Sequence, residues 1–149
     1  MIRKATTEDI PQIIDMIMDF MEEGKEFKDH GFDMDVVVNL VYSRVNNKGQ
    51  TVIVCEKDGK LKGMISGYIT PFLLSRKLVA VEDMWYMEQD YRNGWDGIRL
   101  VKSLLDWSEE NNAKAVSMSV TIGTDNDKAI KILHRLGFRD TGLCLLKEF

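Results

Sequence analysis

The residues best suited to binding a ligand lie close together, between a predicted strand and a predicted helix. This segment, residues 90–100, reads DYRNGWDGIRL and brings two glycines and an arginine directly in front of an amphipathic helix. A helix start presents unpaired backbone N–H groups and about half a positive charge. Glycine lets a ligand approach that backbone, and Arg92 adds a full positive charge. The segment therefore favours a diphosphate site, although a purely structural glycine turn gives the same pattern.

The segment differs from two common phosphate-binding patterns. It matches neither the GxxxxGK[ST] phosphate loop nor the GxGxxG dinucleotide fingerprint, so mononucleotide and nicotinamide sites are less favoured. The backbone itself must then supply the contacts to the diphosphate. The candidate binding residues are Arg92, Asn93, Gly94, Trp95, Asp96, Gly97 and Ile98.

Length and composition limit the class of protein. The 149 residues suit a single domain, and the hydrophobic share of 44% and charged share of 30% are typical of a soluble globular protein. The net charge of -4, with no basic tail, argues against nucleic-acid binding through phosphate contacts. No apolar run approaches the roughly 17–25 residues that span a bilayer, and the N-terminal residues are too polar for a signal peptide. We expect one domain, residues 1–149, in the cytoplasm and away from membranes.

The two cysteines and two histidines make no metal-ligand pattern, so no metal site is predicted. Cys55 and Cys144 lie in apolar, strand-like stretches. This placement indicates small core residues in a reducing compartment, with a catalytic thiol as the minor alternative.

Hydrophobic periodicity and turn residues predict the elements that must position the glycine segment. Asp58-Gly59 between two strand-like runs is a strong hairpin signal. Thr6 offers N-cap chemistry for the first helix, and Gly24 and Gly137 stand where helices end. The predicted order is a strand at 2–5, a helix between Thr6 and Gly24, a helix at 33–45, strands at 51–56, 61–69 and 78–88, a helix at 95–111, a strand at 115–122, a helix at 126–136 and a strand at 138–149.

This order, β-α-α-β-β-β-α-β-α-β, predicts an α/β fold. A hairpin region followed by crossover helices implies a sheet of mixed direction, mostly antiparallel, with helices on its flanks. The helix at 33–45 contains three consecutive valines, which alone would favour a strand.

Three segments together resemble the GNAT superfamily of acyl-CoA-dependent N-acetyltransferases. The opening IRKATTEDIP is similar to the family's first strand and helix. Arg92 followed by Gly97 is similar to its acetyl-CoA signature, and NDKAIKILHRLGFRDTG, from Asn126, is similar to its second signature. The segments occur in the family's order, so the resemblance covers nearly the whole chain. Within the superfamily, residues 81–100 are most similar to small variants found in tailed-phage genomes.

The resemblance implies direct transfer of an acetyl group from acetyl-CoA, without a metal, to an amine of a small molecule or protein. A non-catalytic acyl-CoA-binding module is the alternative. Two positions depart from the family pattern. Trp95 occupies the place of the first loop glycine, where it could stack on the cofactor or pack under the helix. Leu133 occupies the place of the tyrosine that usually protonates the departing thiolate.

The proposed reaction needs a base, because a lysine-like amine has a pKa near 10.4. Deprotonating it at neutral pH costs about 4.6 kcal/mol. Glu82 and Asp83 are the candidates, and strand alternation sends them to opposite faces. Glu82 is favoured because it would share a face with Tyr86, although a bulge in the strand would change this. A solvated strand carboxylate is the alternative.

The resemblance also assigns roles around the thioester. The backbone N–H of Met87 would stabilise the charge that develops on the carbonyl oxygen. Asn126 would bind the pantetheine arm, or only cap its own helix. His134 or Tyr86 could replace the missing tyrosine as proton donor, although His134 lies about 100° round the helix from Leu133 and suits an exposed surface residue.

The acceptor pocket is expected between the first two helices, their connection and the loop near residues 71–77. The partner would be an amine-bearing small molecule or a protein, with no nucleic acid, and a homodimer is possible. Acidic residues near the first connection could attract an amine or form a solvated surface. They are Glu22, Glu23, Glu26, Asp29 and Asp33.

Overall fold

A computed structural model describes residues 1–24, 31–120, 126–142 and 147. The chain divides into two compact units, Met1–Ser119 and Val120–Phe149, and each is described by itself. The strands of the first unit are β1 (Ile2–Lys4), β2 (Gln50–Lys57), β3 (Lys60–Pro71), β4 (Leu78–Met87) and β5 (Val116–Ser117), and its helices are α1 (Ile10–Glu23), α2 (Met34–Asn46) and α3 (Asp96–Glu110). The second unit contains α4 (Asn126–Arg135).

The described strands form one mixed sheet. They follow the order β1-β2-β3-β4-β5, antiparallel from β1 to β4 and parallel between β4 and β5. Asp58 and Gly59 have φ of 51° and 73°, the positive values that a two-residue type I′ hairpin requires. The predictions of a mostly antiparallel α/β sheet and of this hairpin are confirmed.

Helices cover both faces of the sheet. α1 and α2 pack on the face that carries Val54 and Met64, in one buried core. Alternation sends Ile65 to the other face, where α3 packs on β2 and β3 with Leu100 and Leu104 fully buried. This arrangement sets the N-terminus of α3 beside the end of β4.

The helix predicted at residues 33–45 is confirmed as α2. It buries Val41 and Val45, which are one helical turn apart, against the sheet. The helical spacing of buried residues therefore prevails over the strand preference of its valines.

An ion pair fixes the start of α1 against β1. Arg3 donates to both carboxylate oxygens of Asp9, at 2.7 and 2.8 Å. The hydrogen bonds from Arg3 lower the pKa of Asp9 to about 2, so the carboxylate stays charged across the physiological range. The anchored helix ends at Glu23, whose carboxylate binds Arg92.

The strand predicted at residues 115–122 is mostly wrong. β5 pairs with β4 only at Ala80↔Val116 and Val81↔Ser117, and residues 118–120 are not in a strand. The next residue of β4, Glu82, accepts a side-chain hydrogen bond from the backbone N–H of Ser119 at 3.4 Å. The pairing stops because Ser119 N–H bonds to the carboxylate of Glu82 and not to a backbone carbonyl of β4. Residues 121 and 122 lie outside the described part.

The second unit confirms one prediction and contradicts another. Gly137 has φ of 92°, and the N–H of Phe138 donates to Leu133 O at 3.1 Å, as expected for a glycine after a helix C-terminus. The strand predicted at 138–149 is wrong for residues 138–142, which are not in a strand. Phe138 and Asp140 instead bond back to α4, to Leu133 and His134. Residues 143–146, 148 and 149 lie outside the described residues.

Candidate active site

The end of β4 leads into α3 through the segment that the sequence singled out. One 3₁₀ turn, Gln89–Tyr91, is followed by residues 92–95, and residues 96–98 form the first turn of α3. The backbone N–H groups of residues 94–98 have no acceptor among the described residues, and the side chain of the N-cap residue, Trp95, makes no capping bond. The first helical bond runs from Arg99 N to Trp95 O. A row of free donors therefore lies at the positive end of α3.

Gly94 and Gly97 are not required by the fold. Neither has a positive φ, and a Cβ built on them would meet its nearest neighbour at 3.7 and 3.6 Å, which is ordinary contact. Gly67 differs, because a Cβ there would lie 2.7 Å from Val81 O. The turn therefore does not require glycine at either position, and both glycines leave room beside the backbone that a side chain would fill.

Arg92 connects this segment to α1. Its Nη2 donates to Glu23 Oε2 at 2.5 Å, its Nε donates to Met87 O at 2.8 Å, and its guanidinium lies 5.5 Å from the centre of the Tyr86 ring. The sequence identified Glu23 only as part of an acidic surface. Since the two partners are 69 positions apart, no local pattern could have revealed the pair.

Trp95 and Asp96 have different surroundings at the start of α3. Trp95 is 74% exposed, so packing under the helix is wrong for this side chain. Asp96 pairs with Lys57 at 2.7 Å and with Arg99 at 3.3 Å. The hydrogen bond from Lys57 is the main reason that the pKa of Asp96 is lowered. Lys57 was missed by sequence reasoning, and it offsets a carboxylate that would repel a diphosphate.

A bulge in β4 reverses the faces of the sheet on which Glu82 and Asp83 were predicted to lie relative to Tyr86. Ser66 pairs with Met84 and Gly67 with Glu82, which leaves Asp83 without a partner in the register. Asp83 accepts hydrogen bonds from Ser66 Oγ and from Arg44 of α2, on the α1 and α2 side. The prediction that Glu82 shares a face with Tyr86 is therefore wrong. Asp83 lies on the face of Tyr86, and Glu82 lies on the opposite face.

Glu82 is buried, with 6% of its surface exposed, and Ser119 N–H is its hydrogen-bond donor at 3.4 Å. Burial, aided by the neighbouring charge of Asp83, raises the pKa of Glu82 to about 7, against the lowering effect of the Ser119 bond. The Glu82 carboxyl can therefore gain or lose a proton at neutral pH. Its position, where β4 and β5 stop pairing, makes it the described carboxyl best suited to proton transfer.

Tyr86 and Met87 lie at the end of β4. The Tyr86 hydroxyl donates to Glu23 Oε1 at 3.2 Å, and burial together with the Glu23 charge raises its pKa to about 12. Met87 pairs with Gly63 of β3, and its carbonyl oxygen accepts a hydrogen bond from Arg92 Nε. Described pairing of β4 with β5 ends at Val81, six residues before Met87.

The remaining predicted residues belong to the second unit. Asn126 begins α4, and Leu133 is its buried residue. His134 is exposed, and its Nε2 lies 2.8 Å from Asp140 Oδ1. The structure therefore gives His134 a carboxylate neighbour that the sequence did not suggest.

Neither a three-residue metal-binding cluster nor a membrane-spanning helix is found in the described part of the chain. Residues 1–24, 31–120, 126–142 and 147 contain no cluster of three His, Cys, Asp or Glu side chains that could hold a metal ion. None of the helices described in these ranges has the length and apolar character needed to cross a membrane.

Cys55 behaves as a core residue. It is buried, and burial is the main reason that the pKa of its thiol is raised, which keeps the thiol protonated. Glu26, Asp29, His30 and Cys144 lie outside the described residues.

Comparison with family models decides the family. Residues 11–138 match the acetyltransferase (GNAT) family. This chain belongs to the GNAT family. The match includes the segment at residues 92–98 and α4. GNAT enzymes are acetyltransferases that use acetyl-CoA as co-substrate, so the free donors at residues 94–98 lie in a chain whose family binds a diphosphate-containing coenzyme.

Solved structures share this GNAT fold at low sequence identity. A transcriptional regulator from Bacillus halodurans C-125 has a TM-score of 0.80 and 19% identity, over 100% of this chain and 99% of that one. The aminoglycoside N-acetyltransferase AAC(6')-Iy, in complex with a bisubstrate analogue of CoA and acetylneamine, has a TM-score of 0.81 and 12% identity, over 100% and 97%. A ribosomal-protein-alanine N-acetyltransferase from Brucella melitensis biovar Abortus 2308 has a TM-score of 0.74 and 13% identity, over 100% and 99%. Comparison with curated protein sequences gave no significant match.

Proposed function

We propose that this chain is an acetyl-CoA-dependent N-acetyltransferase in which residues 1–149 act as one domain. The main supporting observation is the row of backbone N–H groups at residues 94–98, which have no described acceptor at the positive end of α3. Diphosphate oxygens are suitable acceptors for such donors. Gly94 and Gly97 leave this stretch of backbone without side chains at two positions.

The coenzyme would supply the acetyl group as an activated thioester. Residues 92–98 would hold its diphosphate, and Asn126 would bind its pantetheine arm. Trp95, which is exposed beside this segment, is available to stack on the coenzyme. The side chain of Arg92 already binds Glu23 and Met87 O, so its share in holding the diphosphate depends on exchanging Glu23 for phosphate oxygens.

Glu82 is the proposed base. Its pKa of about 7 leaves roughly half of the carboxyl ionised at neutral pH and makes it a stronger base than an ordinary glutamate. It would accept the proton of the acceptor amine, directly or through water. Asp83 is less suitable because its carboxylate is paired with Arg44 at 2.7 Å.

The N–H of Met87 is the proposed donor to the thioester oxygen. For the departing thiolate, Tyr86 is a poor proposed acid, since its pKa of about 12 exceeds that of a thiol. With a thiol pKa near 8.5, a proton transfer from Tyr86 is uphill by about 4.8 kcal/mol. His134, an exposed imidazole whose Nε2 lies 2.8 Å from Asp140 Oδ1, is the other proposed donor.

The acceptor is proposed to be an amine of a small molecule or a protein. Two proteins with this fold carry names that refer to aminoglycosides and to an alanine of a ribosomal protein. We further propose a cytoplasmic location, a possible homodimer and a relation to small phage variants.

A non-catalytic acyl-CoA-binding module is a second candidate. It is favoured by Leu133, an apolar residue at the position of the family's usual acid, and by the raised pKa of Tyr86. Such a module would bind acetyl-CoA and release no CoA thiol.

Two measurements test these candidates. Acetyl-CoA should raise the melting temperature of the wild type, and free CoA thiol should appear with at least one member of an amine and peptide panel. Glu82→Gln should keep the thermal shift and lose about 10²–10⁴-fold in transfer rate, as expected for removal of a general base. A thermal shift without transfer across the panel indicates the binding module. No shift at millimolar acetyl-CoA would exclude both candidates.

A further inference from the structure

Trp85 holds a buried donor that the fold does not use. Its indole Nε1 is inaccessible to solvent and has no hydrogen-bond partner among the described residues. Buried polar groups are nearly always paired, so an unpaired indole N–H in a native structure calls for an explanation. No role was predicted for Trp85 from the sequence.

The position of Trp85 directs its indole to the start of α3. Trp85 pairs with Ile65 across the sheet, and its neighbour Tyr86 belongs to the core under α1 and α2, so Trp85 faces the α3 side. A Cβ built on Gly97 would stand 3.6 Å from Trp85 Cζ2 and 3.9 Å from Nε1. The indole edge therefore lies directly against the side of Gly97 that carries no side chain.

Gly97 thus belongs to the row of free backbone N–H groups and also lies against the unpaired indole N–H of Trp85. We propose that Trp85 Nε1–H is a further coenzyme-binding donor, which binds a diphosphate oxygen of acetyl-CoA. The inference rests on the proposed function and adds a side-chain donor from β4 to the backbone donors of α3. Because Nε1 is covered in this structure, the backbone at Gly97 must shift slightly to admit the oxygen. A negatively charged acceptor offsets the energetic cost of this backbone shift better than a neutral one, because hydrogen bonds to charged groups are stronger.

Within the described ranges, Thr51 Oγ1 is the other buried side-chain polar atom without a hydrogen-bond partner, and it does not share this geometry. Thr51 Oγ1 lies on β2, at a position that pairs with Gly67 of β3. Gly67 is four residues along β3 from Gly63, which pairs with Met87 at the end of β4, so Thr51 is separated from the row of backbone donors.

The test compares two tryptophans. Trp85→Phe removes the N–H and keeps an aromatic ring, and we expect it to weaken acetyl-CoA binding about tenfold in calorimetry, which is about 1.4 kcal/mol. Trp107→Phe makes the same chemical change on α3, one residue before the fully buried Ser108 and away from residues 94–98, and should alter binding less than about twofold. Equal affinity of wild type and Trp85→Phe would overturn the inference and leave the proposed function intact. Failure of the wild type to bind acetyl-CoA would overturn both.

A direct readout separates a hydrogen bond from a packing effect. The indole N–H resonance of Trp85, assigned by its absence in Trp85→Phe, should move downfield when ADP is added, while that of Trp107 stays in place. ADP carries the diphosphate without pantetheine, and S-acetylpantetheine carries no phosphate. A shift with S-acetylpantetheine but not with ADP would contradict the diphosphate assignment, and so would no shift with either.

An isosteric replacement keeps the shape of the indole. The analogue 3-benzothienylalanine has sulfur in place of N–H, and it can be incorporated at Trp85 alone in a Trp95→Phe, Trp107→Phe background. Within that background, the analogue should weaken acetyl-CoA binding about tenfold relative to tryptophan. Equal affinity of the two proteins would show that the N–H makes no contact with the coenzyme.

Discussion

Glu82 is a buried carboxyl whose protonation should couple stability to pH. Its pKa is raised from 4.5 to about 7 on folding, so the folded protein binds this proton more tightly than the unfolded chain. The stabilising contribution is fully present below a pH of about 4.5, is lost as the pH rises through about 7, and amounts to about 3 kcal/mol. We expect the wild type to lose stability relative to Glu82→Gln between about pH 5 and about pH 8, in urea unfolding. A difference that does not change with pH would contradict this.

The ion pair between Glu23 and Arg92 should affect coenzyme affinity. Because Glu23 is a carboxylate 2.5 Å from the arginine proposed to bind a diphosphate, the two anions compete for one cation. Glu23→Gln should therefore lower the Kd of acetyl-CoA about three- to tenfold, while costing about 1 kcal/mol of stability or less. Calorimetry measures the Kd, and chemical unfolding measures the stability.

The neighbouring residue provides the control for this prediction. Glu22→Gln makes the same change in net charge at an exposed position one residue away, and it should leave the Kd unchanged. Weaker binding in Glu23→Gln would show instead that Glu23 orients Arg92 for the coenzyme.

At the scale of the element, Gly67 is required by the packing of the sheet, whereas Gly97 is not required by the fold. Gly67→Ala should destabilise the protein by about 1–3 kcal/mol, because the new Cβ would collide with the backbone of β4 opposite the bulge. Gly97→Ala should keep or raise stability by up to about 1 kcal/mol, since alanine suits a helix better and its Cβ finds ordinary contacts.

The same pair of variants should respond differently to the coenzyme. Gly97→Ala should lose much of the thermal shift with acetyl-CoA, and Gly67→Ala should keep it. Thermal unfolding with and without acetyl-CoA measures both effects. A full shift in Gly97→Ala would show that the coenzyme does not approach this backbone.

Elements whose causes are local could be predicted from the sequence. The hairpin at Asp58-Gly59 follows from two residues that tolerate positive φ, and α1 and α3 follow from their apolar spacing. The bulge in β4 could not be predicted, because it depends on Gly67 in the neighbouring strand. The end of β5 likewise depends on a side chain of β4, Glu82, which takes the place of a backbone partner.

At the scale of the whole molecule, the first unit contains the entire described sheet and almost all of the described core. Leu133 is the one buried hydrophobic residue described in the second unit. We therefore expect a chain that ends at Ser119 to unfold cooperatively in urea, as followed by circular dichroism. It should still bind acetyl-CoA, because it keeps residues 92–98, which are proposed to hold the diphosphate. Absence of a cooperative transition would show that residues 120–149 are needed for folding.

The candidate site was predictable where the chain is continuous and not where distant residues meet. The run from Arg92 to Ile98 was identified from its residue types alone. The contacts of Arg92 with Glu23, of Asp96 with Lys57, and of Glu82 with Ser119 join residues far apart in the chain. They determine charge and protonation in the site, and they become visible only when the strands and helices are assembled.

The ordinary backbone angles of Gly94 and Gly97 have a consequence for protein engineering. A library of variants selected only for resistance to heat would readily accept alanine at these positions, since nothing in the free protein opposes it. If the coenzyme binds this backbone as proposed, the selected proteins would keep their shape while gradually losing affinity for acetyl-CoA. Any such campaign should therefore include acetyl-CoA among its selection conditions, so that heat resistance is not gained at the expense of binding.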